Sequence, residues 1–421
     1  MKPFSFDHTA DLHLDSPFVG LRDVDEKVVH EIREATFHTF DRIVDLCLER
    51  NADFLLVAGD IYDSCDRSLR AQLRFRDGLR RLSDEGISSF VVHGNHDPLD
   101  SWAATLKWPE RAHIFGGNAV TAKRVERDGQ TIALVYGISY PTQEVRANLA
   151  RKFRRRDDDK FAIGLLHCNV GVDTGHEPYA PCTMKDLAGA GMDYWALGHV
   201  HNTCVLSSEE PMIVYPGNPQ GRTPLEVGAR GCYFVEVRET GRARAEFVPV
   251  DSVRWQWKSV PVEELGTDEA VVSAVERACQ GMREDAGGRP VVGRISLTGR
   301  GPAYASLARP NFVTGLVERL RETEGSDDPF VWIERVEVNV RPPLDLEARR
   351  AGHDFVADLL NLIEGYRKHP ERITSLREHL KPLFQSRRAY RYLEPPGDEQ
   401  LEGWLEAAEA KCADLLTAEE D

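Results

Sequence analysis

The 421-residue chain lacks the features that would place it in a membrane or outside the cell. Its longest apolar runs, such as Phe54–Ala58 and Phe161–Leu166, have the length of a strand and are far too short to span a bilayer. No signal-peptide pattern precedes the first predicted strand. The eight cysteines include no CxxC pair and are typical of reduced core thiols. We therefore expect a cytoplasmic protein without a membrane partner.

Positive charge is also in short supply, since the net charge is −16 at pH 7. This excess of negative charge argues against a nucleic-acid partner. The distribution of charge weakens this objection. Residues 395–421 hold nine acids and one lysine, so half of the excess lies in a C-terminal tail. Residues 365–391 hold eight bases and two acids. This basic stretch either contacts DNA phosphates or an acidic coiled coil, or forms a solvated helix face that the acidic tail neutralises.

The first part of the chain alternates helical and strand patterns, and its length predicts two or three domains in all. Apolar residues recur with helical periodicity over Lys27–Arg50 and Ser68–Glu85. Short apolar strands are predicted at Phe54–Ala58, Ser89–Val92, Thr131–Tyr136, Phe161–Leu166 and Tyr194–Leu197. Strands separated by helices favour an α/β fold.

The rest of the chain changes character twice. Strands at Met212–Tyr215, Gly231–Val237 and Arg244–Val250 are expected to close a second sheet. After a boundary near Arg254–Lys258, two helices and two strands predict a small α+β domain that ends at Arg341-Pro342-Pro343. These elements are helices Thr267–Met282 and Asn311–Thr323 and strands Val291–Thr298 and Val331–Val340. Helices follow at Glu347–Tyr366, Pro370–Leu383 and Glu399–Leu416. The predicted domains are therefore residues 1–255, 256–343 and 344–421.

Five clusters of Asp, Asn and His, most of them punctuated by glycine, stand just beyond apolar runs. They are Asp11-Leu12-His13, Gly59-Asp60-Ile61-Tyr62-Asp63, Gly94-Asn95-His96-Asp97, His167-Cys168-Asn169 and Gly198-His199-Val200-His201. The carboxyl ends of strands in an open α/β sheet meet at one edge, where ligands bind. Together the clusters supply enough ligands for two adjacent divalent cations, which is a standard arrangement for cleaving phosphate esters.

The types of side chain indicate the metal. Mixed carboxylate, amide and imidazole ligands suit Mn²⁺, Fe²⁺ or Zn²⁺ rather than a thiolate-bound zinc. Asp60 is the natural bridge between two cations, whereas Asp11 and His13 are two residues apart and can reach one metal. Asn95 offers only a neutral oxygen. His199 and His201 share a face and could serve the two metals separately.

The neighbours of these ligands suggest further roles. His96, next to Asn95, is placed to help the leaving oxygen, either with a proton or as a positively charged neighbour. The nearby histidines His8, His93 and His176 are interpreted as structural or as supports for the ligands, and Asp15, Asp63 and Asp97 as residues that could orient them.

The ordered motifs resemble those of the calcineurin-like metallophosphoesterase superfamily over about residues 1–250. They are Asp11-x-His13, Gly59-Asp60-x-x-Asp63, Gly94-Asn95-His96-Asp97, His167 and Gly198-His199-x-His201. The resemblance implies a two-sheet sandwich flanked by helices, and it makes His96 the catalytic histidine. It also implies two ligand sets: Asp11, His13, Asp60 and His201 for one metal, and Asp60, Asn95, His167 and His199 for the other.

Four longer segments resemble the SbcD and YhaO group of DNA repair exonucleases within that superfamily. They are Ala10–Phe18, Gly59–Asp63, Ala188–His201 and Tyr215–Gln220. The resemblance implies a nuclease subunit that works with an SMC-like coiled-coil ATPase, carries a capping domain at residues 256–343 and often forms a homodimer. The chain departs from eukaryotic and archaeal relatives at Asp63, where those usually have histidine.

The leading expectation is a metal-dependent DNA nuclease that uses two Mn²⁺ ions, with the cap positioning DNA and the C-terminal helices docking on the ATPase. The main alternative is a phosphoesterase for a small nucleotide or a phosphoprotein. About 160 residues beyond the catalytic domain argue against that alternative. A purely scaffolding role is a third hypothesis, which the complete ligand set disfavours.

Overall fold

The computed structural model describes residues 1–18, 25–63, 68–101, 104–156, 160–171, 179–343, 346–384 and 396–417. In chain order its strands are β1 (Phe4–Thr9), β2 (Phe54–Ala58), β3 (Ser88–Val92), β4 (Ala112–Ile114), β5 (Thr121–Arg127), β6 (Gln130–Gly137), β7 (Ala162–His167), β8 (Tyr194–Gly198), β9 (Cys204–Ser207), β10 (Met212–Tyr215), β11 (Gly231–Val237), β12 (Ala243–Pro249), β13 (Arg254–Pro261), β14 (Val291–Arg300) and β15 (Val331–Arg341).

The helices are α1 (Glu26–Glu49), α2 (Leu69–Asp84), α3 (Met184–Ala188), α4 (Asp268–Asp285), α5 (Tyr304–Leu307), α6 (Pro310–Thr323), α7 (Leu346–Arg350), α8 (Phe355–Arg367), α9 (Pro370–Phe384) and α10 (Asp398–Thr417), with a 3₁₀ turn at Ala150–Lys152. None of the described helices is long and apolar enough to cross a membrane. The chain divides into two units, residues 1–299 with 305–340, and residues 300–304 with 341–421.

Two six-stranded mixed sheets form the core of the first unit. Their strand orders are β12-β11-β1-β2-β3-β4 and β5-β6-β7-β8-β10-β9. Strands β1 to β4 are parallel, as are β6, β7, β8 and β10. Aromatic side chains fill the space between the sheets: Phe6 stacks on Phe54 with ring centroids 4.9 Å apart and meets Tyr194 of the second sheet edge-on at 5.2 Å. The predicted two-sheet α/β fold is confirmed.

The placement of β11 and β12 corrects one expectation. Both were expected to close a second sheet, but β11 pairs antiparallel with β1 and β12 pairs with β11, so both extend the first sheet. The free edge of β1 would otherwise leave a row of backbone groups unpaired. Of the three strands predicted there, Met212–Tyr215 (β10) alone lies in the second sheet, where it pairs with β8.

Helix α1 packs against both the first sheet and the small third sheet, whose order is β13-β14-β15. Ser68 caps α2 by accepting a hydrogen bond from the amide of Ala71. The segment Arg254–Lys258, interpreted from the sequence as a boundary, lies within β13, where Trp255 is buried against α1. The change in composition at Arg254–Lys258 therefore falls inside a strand and not in a linker.

The second unit contains the C-terminal helices, and α8 packs on α10 through Val356, Leu360 and Ala413. The prediction of a single helix over Glu347–Tyr366 is wrong. The structure breaks it into α7 and α8, because Asp354 takes an extended conformation and caps α8 by accepting from the amide of Ala357.

Candidate metal centre

The loops that leave β1, β2 and β8 are bent sharply where ligand candidates stand. Asp11, His13, Asp60 and His199 have φ values of 51°, 44°, 51° and 104°, a region that residues other than glycine rarely occupy. Backbone bonds join the first two loops: the Asp11 amide donates to Gly59 O at 3.0 Å, and the His13 amide to Asp60 O at 3.1 Å. Strain of this kind is typical of functional sites, because the surrounding structure must hold it.

His167 is at the centre of one group of ligand atoms. Its Nδ1 donates to the carbonyl oxygen of Ala58 at 2.9 Å, which fixes the ring with Nε2 toward the other ligand atoms. That nitrogen is 3.3 Å from Asp60 Oδ2 and 2.9 Å from Asn95 Oδ1. All three ligand candidates are buried.

A second group joins the loops of β1 and β8. The Nε2 atoms of His13 and His201 are 3.2 Å apart. Nδ1 of His201 lies 2.8 Å from a carboxylate oxygen of Glu226, which fixes the orientation of this ring. Both oxygens of Asp11 accept from the amide of His199 at 3.1 Å.

Three sets of side chains bring their ligand atoms within 4.8 Å of one another: Asp11, His13 and His201; Asp11, Asp60 and His167; and His13, Asp63 and His96. His199, the other imidazole of the loop after β8, lies outside these sets. The ring of His199 lies edge-on to His167 and Tyr179, with centroids 5.3 and 5.7 Å apart.

The electrostatics of the buried groups favour a bound cation. Burial raises the pKa of Asp11 above its ordinary value. Burial alone would lower the pKa of His167, but the Asp60 carboxylate outweighs it and raises that pKa to about 9. Burial, with the nearby Arg222 cation, lowers the pKa of His13 to about 3, so its imidazole is neutral. Divalent cations would offset the buried carboxylates and use the neutral imidazole as a ligand.

The donor set fits such cations. Carboxylate, imidazole and amide oxygen donors suit Mn²⁺, Fe²⁺ or Zn²⁺. Two imidazole nitrogens face each other at 3.2 Å in the pair His13 and His201. Nδ1 of His13 is buried and lies 3.6 Å from Asp63 Oδ1, beyond hydrogen-bond distance. A shared cation would satisfy the two facing Nε2 atoms.

A more exposed cluster borders these groups. His96 Nδ1 is 3.0 Å from Asp63 Oδ1, and the other oxygen of Asp63 accepts from Ser16 Oγ at 2.6 Å and from Arg222 Nη1 at 3.1 Å. The side chain of His96 is 40% exposed, in contrast to the buried ligands. Burial alone would lower the pKa of His96, but Asp63 and Asp60 outweigh it and raise that pKa.

The flanking residues divide into supports and bystanders. Asp97 accepts from His93 Nδ1 at 3.0 Å and from the amides of Gly94 and Ile61, and so braces the loop after β3. Asp15 lies instead near Arg70, at 3.9 Å. His8 is buried against Tyr194, with Nδ1 3.0 Å from its hydroxyl oxygen. His176 lies outside the described residues.

Sequence reasoning missed Arg222 and Glu226. Both lie in the loop after β10, and their one signal is that they follow the motif Tyr215–Gln220 within a few residues. Nothing in the spacing alone shows that this loop returns to the histidines of β8.

A two-sheet sandwich with carboxylate, amide and imidazole side chains gathered at one edge defines a metallophosphoesterase. Residues 4–203 match the family model of calcineurin-like phosphoesterases, and residues 255–341 match the middle domain of metallophosphoesterase YhaO. The chain is 37% identical over 372 residues to an uncharacterized metallophosphoesterase YhaO of Bacillus subtilis, which covers 87% of this chain and 90% of that protein. The chain therefore belongs to the calcineurin-like metallophosphoesterases of the YhaO type and is a metal-dependent hydrolase.

Two further relatives are nucleases or repair proteins by name. The chain is 26% identical over 371 residues to the DNA double-strand break repair protein Mre11 of Methanopyrus kandleri, covering 81% of this chain and 74% of that protein. It is 24% identical over 287 residues to SbcD, a component of the nuclease SbcCD of Bacillus subtilis, covering 59% of this chain and 71% of that protein. The chain is homologous to both.

Proposed function

We propose that the protein is a DNA nuclease that hydrolyses phosphodiester bonds at two metal ions in DNA repair. The observation that carries the proposal is the pairing of a buried ligand set with a half-exposed histidine, His96, at its border. Homology to Mre11 and to SbcD supports DNA as the substrate.

The proposed ligands follow the two predicted sets. Asp11, His13, Asp60 and His201 would hold one metal, and Asp60, Asn95, His167 and His199 would hold the other. Two divalent cations bound there would polarise the phosphate and lower the pKa of the attacking water. We propose Mn²⁺ as the metal, with Fe²⁺ or Zn²⁺ as the alternatives that the same donors would accept.

His96 is the proposed acid. Because Asp63 holds Nδ1 of this imidazole, the second ring nitrogen is left to give a proton to the leaving oxygen of the ester. The same two residues could instead join His13 as ligands of a further cation. Arg222 Nη1 lies 3.1 Å from the Asp63 carboxylate and already neutralises it, which favours the hydrogen-bonded pair over another metal.

The C-terminal helices are the proposed docking site for an SMC-like coiled-coil ATPase. Phe355 and Leu362 on α8 are seven residues apart, so they share one helix face, and they are 70% and 53% exposed. An exposed apolar stripe of this kind suits a helical partner. In the domain proposal, residues 1–255 are catalytic, residues 256–343 form the DNA-positioning cap and residues 344–421 carry this docking site. A homodimer is also part of the proposal, and the resemblance of the sequence motifs to this group of nuclease subunits supports it.

The basic stretch is less available to DNA than its composition suggests. Arg367 Nη1 is 3.0 Å from Glu409, and Arg377 Nη1 is 2.8 Å from Asp398, so the acidic tail neutralises part of it. Lys368, just after the end of α8, pairs with Glu364 of that helix, and Lys381 pairs with Glu378 within α9. Arg387, Arg388 and Arg391 lie outside the described residues. We therefore assign the DNA contact to the catalytic domain and the cap.

A cytoplasmic setting stays part of the proposal. It is supported by free cysteines: Cys47, Cys168, Cys182, Cys204, Cys232, Cys279 and Cys412 form no disulfide.

The main test uses the full chain with Mn²⁺ on linear duplex DNA, a mononucleotide and a phosphopeptide, with Asp60→Asn as the matched inactive control. We expect release of nucleotides from DNA by the unmodified protein alone. Hydrolysis of the mononucleotide or the phosphopeptide with intact DNA would replace the proposal by the small-substrate alternative.

The docking proposal has its own test. Phe355→Asp with Leu362→Asp should abolish recovery of the ATPase in a pull-down and leave DNA hydrolysis by the isolated chain unchanged. Leu69→Asp, at a 51% exposed position on α2, is the matched control. Full recovery of the ATPase by the double variant would refute docking on α8.

A further inference from the structure

The metal edge is the side of the two sheets where the ligand candidates meet. Arg222 connects three loops of this edge without belonging to any proposed ligand set. Its Nη1 donates to Ser16 Oγ at 2.6 Å and to Asp63 Oδ2 at 3.1 Å. Its side chain is 11% exposed, so the guanidinium is withdrawn from solvent. The loops after β1, β2 and β10 therefore meet at a single carboxylate.

The two oxygens of that carboxylate have different tasks. Oδ2 of Asp63 accepts from Arg222 and from Ser16 Oγ, the latter at 2.6 Å. Oδ1 is 3.0 Å from Nδ1 of His96 and 3.6 Å from Nδ1 of His13. A carboxylate that is held on one oxygen loses most of its rotational freedom, so the orientation of Oδ1 toward His96 follows from the contacts at Oδ2.

The loop that carries Arg222 is itself held firmly beside the histidines of β8. The Arg222 amide donates to Glu226 Oε2 at 2.7 Å, and Oε1 of the same carboxylate is 2.8 Å from His201 Nδ1. Farther along, the amide of Gly228 donates to Trp255 O at 2.8 Å, in the first strand of the small sheet.

The start of this loop is anchored by the buried Gln220. Its Oε1 accepts from Thr39 Oγ1 at 3.0 Å and from the amide of Ser252 at 2.8 Å. Its Nε2 donates to Val253 O at 2.6 Å. Arg222 thus extends from a short segment that is fixed at both ends.

We propose that Arg222 is a positioning residue that holds Asp63 in the rotamer that orients His96. The proposal rests on the assigned role of His96 as the acid for the leaving oxygen. Arg222 acts through Asp63 and does not touch the substrate. Both contacts come from one nitrogen, Nη1, whose two N–H groups bond the hydroxyl of Ser16 and the carboxylate. A lysine side chain is one bond shorter, so its ammonium reproduces these contacts only in part.

The test compares two phosphodiesters that differ in their need for an acid. Thymidylyl-thymidine has an alkoxide leaving group that needs a proton, whereas bis(p-nitrophenyl) phosphate releases a stable phenolate. Arg222→Gln should lower kcat on thymidylyl-thymidine by about 10²-fold, since a displaced catalytic group costs about that much. The loss on bis(p-nitrophenyl) phosphate should be under about tenfold, with KM and bound metal unchanged. Arg222→Lys should restore part of kcat.

Three controls make the outcome decisive. Arg155→Gln removes an ion pair of similar burial with Asp193, away from the metal edge, and should leave both substrates unaffected. His96→Ala should lose thymidylyl-thymidine cleavage, and the double variant with Arg222→Gln should be no worse than His96→Ala alone.

Two results would overturn the proposal. A raised KM with unchanged kcat would make Arg222 a substrate-binding residue, and equal losses on both esters would make its role merely structural. If His96→Ala cleaves thymidylyl-thymidine normally, the proposed function of His96 fails first, whatever Arg222 does.

Discussion

The inner and outer halves of the metal edge differ in burial and in partners. The inner half, defined by Asp11, Asp60 and His167, is at most 1% exposed. In the outer half, the side chains of Asp63 and His96 are 31% and 40% exposed, and Arg222 supplies a permanent positive charge. Buried anions without a fixed cation suit metal binding, whereas a half-exposed acid and base with a fixed cation suit contact with substrate. The difference separates binding of metal from handling of the ester.

The largest effect is expected in the inner half. Asp60→Asn should abolish hydrolysis and reduce bound metal below two ions per chain, because a neutral amide does not bridge two cations well. Elemental analysis of the purified variant measures the metal, and Asp63→Asn is the matched control in the outer half. Two tightly bound ions in Asp60→Asn would remove the distinction between the halves.

His96→Ala should come next. Loss of the proton donor is expected to lower kcat on DNA by about 10²- to 10⁴-fold, while bound metal stays at two ions. Single-turnover nuclease assays at saturating Mn²⁺ measure the chemical step. Unchanged turnover would take His96 out of the reaction.

Asp63→Asn should lower kcat by about tenfold, which is less than the effect of His96→Ala. The amide still bonds His96 but no longer neutralises Arg222. Metal content should not change. If this variant instead loses an ion by elemental analysis, Asp63 is a ligand together with His13 and His96.

Glu226→Gln should affect affinity rather than chemistry. A carboxylate that orients a ligating imidazole typically contributes 10- to 100-fold in metal affinity, so more Mn²⁺ should be needed for half-maximal activity. Full activity should return at saturating Mn²⁺. Glu246→Gln, at an exposed ion pair with Arg50, is the control and should titrate like the unmodified chain.

Asp7 extends the comparison to a buried acid in β1, the strand that leads to Asp11 and His13, but away from the metal edge. Burial raises its pKa from 3.8 to about 7, although Cys47 and Arg50 act against this. A raised carboxyl pKa contributes stability that is lost as pH rises through about 7. From pH 5 to pH 9, Asp7→Asn should therefore gain about 3 kcal/mol of unfolding free energy relative to the unmodified chain.

Denaturant unfolding at the two pH values measures this gain. Asp128→Asn, at an exposed turn, is the control and should show no such change. If the difference in unfolding free energy between Asp7→Asn and the unmodified chain is the same at both pH values, Asp7 is ionised at both.

Local patterns predicted most elements of the core, because burial there repeats at the period of the element. Helix α1 and strands β2 and β10 lie within a residue or two of their predicted bounds. Strand β5 was missed because most of its residues are exposed and polar, so its pairing with β6 determines its conformation more than its own composition does.

The kinds of ligand and their order along the chain were readable without any structure, since motif spacing places Asp, Asn and His at strand ends. The approach of Arg222 and Glu226 to those ends was not, because it depends on where the loop after β10 returns. The same holds for β11, whose composition is that of any buried strand but which pairs with β1. Sequence alone determined the chemistry of the groups. Only tertiary structure decided which half of the edge each group joined, because burial and charge pairing arise between residues far apart in the chain.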